Sequence, residues 1–362
     1  MTKNLLRNAA ILALLLAAGP ASAKKPKNFR MRPKNPVAAE VEESSATAKE
    51  PLAVMRGRWS PAVKAALDEF LAKRGKDAPG YDASKPPVAV LPWSDALVAG
   101  DPAEIVFLHL ATKAEFKFDD EWWEIVPVAY GRQPARAAYE RFVTLSTSVW
   151  QSQPQYHQYR KAVLQSYLDL CRGVGRRECR QYLMRVWAGW KERDAVEYAK
   201  AAIDEEKSRP GGVEVVRAEE GDSAPLKIRR GLRLIPEMRD LVSKLRTAGV
   251  DVWVVDDLPQ PVLAASAADY GVDPSRVYGV RAGLDGARLS GSVLKPIPTR
   301  GGKAEIVKAS VGRAPDLVLA RDSADAELMS YGDGLRIALT GDPALESTAK
   351  EKGWLIQKSF AH

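Results

Sequence analysis

VAVLPWSDALVAGD, residues 88–101, decides how the rest of the chain is read. Its apolar opening reads as a short buried strand. Pro92 stops it, because proline has no N–H to give to a ladder. The turn that follows is small and polar and ends at Gly100. Pro92, at the end of this strand, carries no ionisable or nucleophilic group.

Outward from this stretch the chain has three textures. Upstream, Ser60-Pro61 predicts a helix start, with a capping residue and Pro at the first position, followed by AVKAALDEFLAKRGK at helical spacing. Residues 103–228 carry aromatics and cations at helical intervals and read as a helical insertion. Trp122, Trp123, Trp150, Trp187 and Trp190 fall here; a substrate platform is one reading, and filling a small helical core is the favoured one. From Arg229 on, PEMRDLVSKLRTAG, PQPVLAASAADYG, GKAEIVKASVG, ADAELMSYG and PALESTAKEKG read as helices. They alternate with the strands DVWVV, RVYGV, PDLVLA, LRIAL and WLIQ. That alternation predicts an α/β fold: a doubly wound, mainly parallel, Rossmann-like sheet in residues 57–102 and 229–362. Ligands in such sheets sit at the carboxyl ends of strands, so the residues after VAVL, DVWVV and PDLVLA carry the information about function.

The chain has 362 residues, 46% hydrophobic and 28% charged, an ordinary globular balance. Residues 1–23 place Lys3 and Arg7 before an apolar run and close on Ala21-Ser22-Ala23, the pattern of a cleaved secretory signal. The apolar run is about half of the roughly 20 residues a membrane span needs. Export to the periplasm or beyond is expected, and no transmembrane segment. The net charge of +8 comes wholly from two cations in residues 1–23 and six in residues 24–36, with no acid in either. Residues 37–362 are therefore neutral, which argues against specific nucleic-acid binding. The basic arm within linker residues 24–56 is expected to stay solvated, with weak contact to an anionic surface as its other use. Cys171 and Cys179 flank RGVGRRE, which reads as a helix–helix turn; a disulfide and two free buried thiols are both open. His109, His157 and His362 offer no His–Cys zinc spacing and no Ser-His-Asp arrangement.

Several stretches taken in order resemble the haloacid dehalogenase-like phosphohydrolases, in their phosphoserine phosphatase-like branch with a helical cap. They are Gly100-Asp101, GLRLIPEMRDLVSKLRTAGVDVWVV, the helix after Pro259, Gly302-Lys303, RDSADAELM and Gly353-Trp354. The resemblance covers residues 86–105 and 229–357 and implies a cap at 103–228. It also implies chemistry: an Asp that attacks phosphorus, an Asp two residues on that protonates the leaving oxygen, a hydroxyl and a Lys that hold phosphoryl oxygens, and a magnesium site.

On that pattern Pro92 stands at the nucleophile, Ser94 at the acid and Ala96 at the threonine position; Asp256 replaces the hydroxyl and is followed by Asp257 and Leu258. Lys303, Asp322 and Ser323 match, while Arg321 replaces a glycine and Ala326 the second acid. Sliding the register by one makes Trp93 the nucleophile; sliding it by three puts Leu97 at the acid position. A carboxylate at Asp256, roughly 4 Å from a phosphoryl oxygen, would cost about 4 kcal/mol at an effective dielectric near 20.

The resemblance therefore implies a catalytically inactive pseudophosphatase acting as a binding or structural module, with an unidentified protein or small-molecule partner. Asp256 is expected to pair with Lys303 in the old phosphate site. Ligand contacts, if any, fall to Lys303, Asp95, Asp256 and Ser323. No cofactor is expected; Mg2+ at Asp322 enters only with a residual or rebuilt site. The alternative is a metal-dependent hydrolase using Asp95, Asp256, Asp257, Asp322 and Asp325.

Overall fold

β1 (Val88–Leu91) is buried along its whole length, as expected of a strand covered on both faces. The computed structural model describes residues 55–361. The signal sequence and all of the 24–56 linker except Met55 and Arg56 lie outside them. α1 (Pro61–Arg74) precedes β1 and starts where expected, although the Ser60 side chain makes no cap bond. After β1 come β2 (Val98–Ala99) and α2 (Pro102–Lys113), whose first N–H groups are capped by Asp101.

The insertion continues with α3 (Asp120–Ile125), α4 (Arg132–Phe142), α5 (Pro154–Val174), α6 (Arg176–Arg185) and α7 (Glu192–Ser208). Trp122, Trp123 and Trp187 are almost fully buried, so these large side chains build the helical core. That core runs without a break into the residues covering the sheet, since α2 and α7 pack against a sheet-covering helix. The insertion ends in an antiparallel ribbon of β3 (Gly212–Val216) and β4 (Leu226–Arg230), which was not foreseen. β5 (Arg233–Leu234) pairs with β2.

The remainder alternates as expected. α8 (Pro236–Thr247) leads to β6 (Asp251–Pro259), and α9 (Gln260–Ala267) leads to β7 (Val277–Val280). An unexpected hairpin of β8 (Ala282–Asp285) and β9 (Arg288–Val293) follows, turning at Asp285-Gly286 with Gly286 at φ 58°. Then come α10 (Gly301–Val311), β10 (Leu317–Ala320), α11 (Ala326–Tyr331), β11 (Leu335–Thr340), α12 (Pro343–Lys352) and β12 (Leu355–Lys358).

Six strands form one parallel sheet in the order β12-β11-β10-β1-β6-β7. This is a doubly wound, Rossmann-like arrangement, with β1 between β10 and β6 at the point where the strand order reverses. The crevice of such a sheet opens there, above Leu91, Val255 and Ala320. Among the described residues no helix is long and apolar enough to cross a membrane.

Candidate functional site

At the tip of β1, Pro92 is buried, and Trp93 turns inward beneath it. The Trp93 indole donates to Ser266 Oγ at 2.7 Å and meets Tyr270 edge-on at 5.0 Å. Asp95 adopts φ 51° and accepts a bond from the Gly100 amide at 2.9 Å, which closes the turn. The turn is thus braced by an aromatic anchor and an Asp side chain, and the residue that tops β1, Pro92, brings no carboxylate.

β6 loses regular register with β7 between Val255 and Pro259, and Asp256 and Asp257 stand in this irregular segment. Asp256 is fully buried; its Oδ2 accepts the Trp93 amide at 2.8 Å, while its Oδ1 has no partner. Burial pushes its carboxyl up, and the like charge of Asp257 adds to this against the pull of Arg321 and Lys303. Asp257 has the opposite fate. Burial alone would raise it, but Arg176, Arg180 and Arg321 hold it far below the usual carboxylate range. Arg176 grips it with two bonds, Nε to Oδ2 at 2.6 Å and Nη2 to Oδ1 at 3.1 Å.

Lys303 departs from expectation. Its Nζ bonds Asp325 Oδ1 at 2.5 Å, and both residues are almost fully buried. Asp256 acts on Lys303 only as a neighbouring charge. The reason is local: Asp325 turns inward as a helix-capping residue, its Oδ2 accepting the Arg321 amide at 2.8 Å. One carboxylate thereby serves a helix start and a buried ammonium. Lys303 and Asp256 are enclosed, whereas Asp95 lines two cavities. Ser323 is exposed and donates its amide to Asp342 at 2.7 Å. Ala326 begins α11 and brings no acid to the site.

Arg321, in place of a glycine, extends across the crevice. Its Nη1 donates to the Ser94 carbonyl at 2.6 Å and its Nη2 to Asp322 Oδ2 at 3.1 Å. Asp322 also accepts the Ala324 amide at 3.0 Å and lies 3.5 Å from Arg176 Nη1. Magnesium wants several oxygens with free lone pairs in octahedral array. Here the carboxylate oxygens of Asp257, Asp322 and Asp325 already face arginine, lysine or backbone donors. These three residues fit the ion poorly, because their oxygens are already engaged; Asp256 Oδ1 is the buried carboxylate oxygen here that has no partner.

Two participants escaped the sequence reading. Arg176 and Arg180, one turn apart on α6, reach from the insertion into the crevice, where Arg180 pairs with Asp101 and lies 3.5 Å from Asp257. Their spacing on one helix face was visible; the burial of Arg180, and the reach of the more exposed Arg176 to Asp257, were not. Cys171 and Cys179 are joined by a disulfide that ties the end of α5 to the start of α6, beside these arginines. A cavity of about 350 Å³ opens there, lined by Asp95, Asp101, Glu104, Tyr167, Arg180 and Arg229 among others. Glu104 accepts from Tyr167 at 2.9 Å, and burial followed by the Asp101 charge raises its carboxyl. A separate His109–Glu205–Glu206 group lies between α2 and α7. Arg209, Arg230 and the Gly231 amide already occupy the Glu206 carboxylate. Against the effect of burial, Arg230, the Gly231 amide and His109 hold it low, at about 2.

Sheet order and crevice define a doubly wound, Rossmann-like α/β fold carrying a helical insertion. No protein-family model matches the chain, and no curated protein matches it in sequence. Among solved structures, a functionally unknown protein from Anaerococcus prevotii DSM 20548 is similar at TM-score 0.72 and 21% identity, covering 84% of this chain and 94% of its own. A HAD family hydrolase from Salmonella enterica serovar Typhi matches at TM-score 0.39 and 9% identity, over 72% of this chain and 64% of its own. A substrate-bound phosphoserine phosphatase matches at TM-score 0.39 and 12% identity, over 75% and 93%.

Proposed function

We propose that this protein is a catalytically inactive member of the phosphatase-like fold, exported through its N-terminal signal and acting as a binding or structural module without a metal cofactor. The observation that carries this reading is the filled crevice. Where an attacking carboxylate and a metal would meet, Pro92 tops β1 and Arg321 spans from Asp322 to the Ser94 carbonyl. Proline cannot form an acyl phosphate, and the Ser94 hydroxyl is a poor acid for a leaving oxygen. Arg176, Arg180, Arg321 and Lys303 neutralise the acids internally, which supports a permanently closed, self-paired site.

A second reading is favoured by one feature, the gathering of Asp256, Asp257, Asp322 and Asp325 at adjacent strand ends, which a rebuilt metal-dependent hydrolase would use. The two separate in calorimetry with magnesium or manganese. The inactive reading expects no binding heat; the rebuilt site expects heat that disappears in Asp322→Ala. Acid-quenched incubation with a phosphate ester and magnesium gives a parallel test, in which a phosphoryl adduct within residues 88–101 would exclude the inactive reading.

A further inference from the structure

We propose that the free edge of β4 takes up an extended segment of a partner protein carrying carboxylates at alternate positions. This rests on the binding-module reading above and gives it a partner class. In the ribbon, Val213 faces Arg229 and Val215 faces Lys227. The two-residue period of a strand therefore puts these four side chains on one face, and all four are exposed, Val213 by 62%.

The two faces of the ribbon are treated oppositely. On the inner face Val216 and Leu226 are buried, and the charges are matched: Glu214 accepts from Arg160 at 2.6 Å and also binds Arg230, which reaches Glu206. On the outer face neither Lys227 nor Arg229 has an ion pair or side-chain hydrogen bond among the described residues. Among the described residues no third strand joins the ribbon, so the outer N–H and C=O groups of β4 form a template for strand addition.

A segment added beside β4 would place its same-face residues against Lys227 and Arg229 at a spacing of two. Opposite charges in that position attract, which selects an acid at i and another at i+2. Arg229 also lines the cavity shared with Arg176 and Arg180, so the added strand would run past its mouth. A peptide fits this better than an anionic lipid surface. Polybasic lipid recognition uses about four to eight clustered cations, whereas this face has two within the ribbon and Arg217 just past β3, with the exposed acids Glu219 and Glu220 in the loop of the same hairpin.

The test uses the full chain and a fluorescent capped peptide, Thr-Glu-Thr-Glu-Thr-Glu-Thr, with its glutamine counterpart and anionic phosphatidylglycerol vesicles as comparisons. Saturable binding of the glutamate peptide is expected. It should weaken at least about tenfold in Lys227→Glu/Arg229→Glu and be accompanied by slowed amide exchange in β4. The milder Lys227→Gln/Arg229→Gln variant, checked by melting, guards against a folding defect. Equal binding of both peptides, binding that survives charge reversal, vesicle binding without peptide binding, or no peptide binding would each overturn the proposal. Turnover of a phosphate ester by the same preparation reports separately on the inactive reading, so the two can fail independently.

Discussion

Arg321 Nη1 donates to the Ser94 carbonyl at 2.6 Å, joining the loop after β10 to the loop after β1. Its guanidinium also faces Asp257 and Asp322, so one side chain bridges three strand ends. Burial by itself would weaken its charge, but Asp256, Asp257, Asp322 and Asp325 together raise its affinity for the proton. Replacing Arg321 by Gly leaves those carboxylates without their shared cation. A loss of about 3 kcal/mol in urea unfolding is expected, and an unchanged midpoint would show that the bridge contributes little.

Lys303→Met tests the pair with Asp325 rather than any pair with Asp256. Removing the ammonium strands a buried carboxylate, which costs about 3–5 kcal/mol. Lys303→Met/Asp325→Asn should recover part of that loss because the uncompensated charge is gone. Recovery by Asp256→Asn instead would assign the partner differently.

Asp256 gives a pH signature. An unfolded Asp titrates near pH 3.9, at about its reference value. The folded carboxyl is shifted above that by burial, so the native state holds its proton to higher pH than the unfolded chain does. This contribution to stability is fully present below the unfolded value and is lost as pH rises through the folded one. Asp256→Asn keeps an acceptor for the Trp93 amide and removes the titration. Its unfolding free energy relative to wild type, read from urea titrations at each pH, should therefore climb between acid and neutral pH, by about 1.4 kcal/mol for each unit of upward shift. A difference that is flat with pH would contradict a raised Asp256.

The Cys171–Cys179 disulfide closes a short loop, with a sequence separation of 8. Chain entropy assigns about 2–3 kcal/mol to a loop of that size. Cys171→Ser/Cys179→Ser is expected to lower stability by that order, read from denaturant midpoints without reductant. Equal midpoints would remove the disulfide as a brace for α6.

Much of the core was legible because its signals are local. Each buried strand of the sheet is a compact apolar run, and each following helix ends at a clear break, as at Gly249 and Gly353. The β8–β9 hairpin was missed although Asp285-Gly286, a strong turn pair, ends β8 and opens its turn. The β3–β4 ribbon was harder, since its nine-residue loop separates two short strands that alternate only weakly. At the site, the absence of an acid at Pro92 could be read directly. The partner of Lys303 could not, because Asp256 and Asp325 both offer a carboxylate in sequence and only the capping geometry of the 3-10 turn Ser323–Asp325 before α11 selects Asp325. Arg176 and Arg180 were hidden for a related reason: a cation in a helical turn looks solvated until the helix is docked on β6.

The most direct measurement is phosphate release from a generic phosphate ester with magnesium, comparing wild type with Pro92→Asp/Ser94→Asp/Asp256→Ser. For wild type, release no faster than in a protein-free blank is expected at every ester concentration. Saturable turnover by the wild-type chain, abolished in Asp322→Ala, would contradict the dismantled site outright.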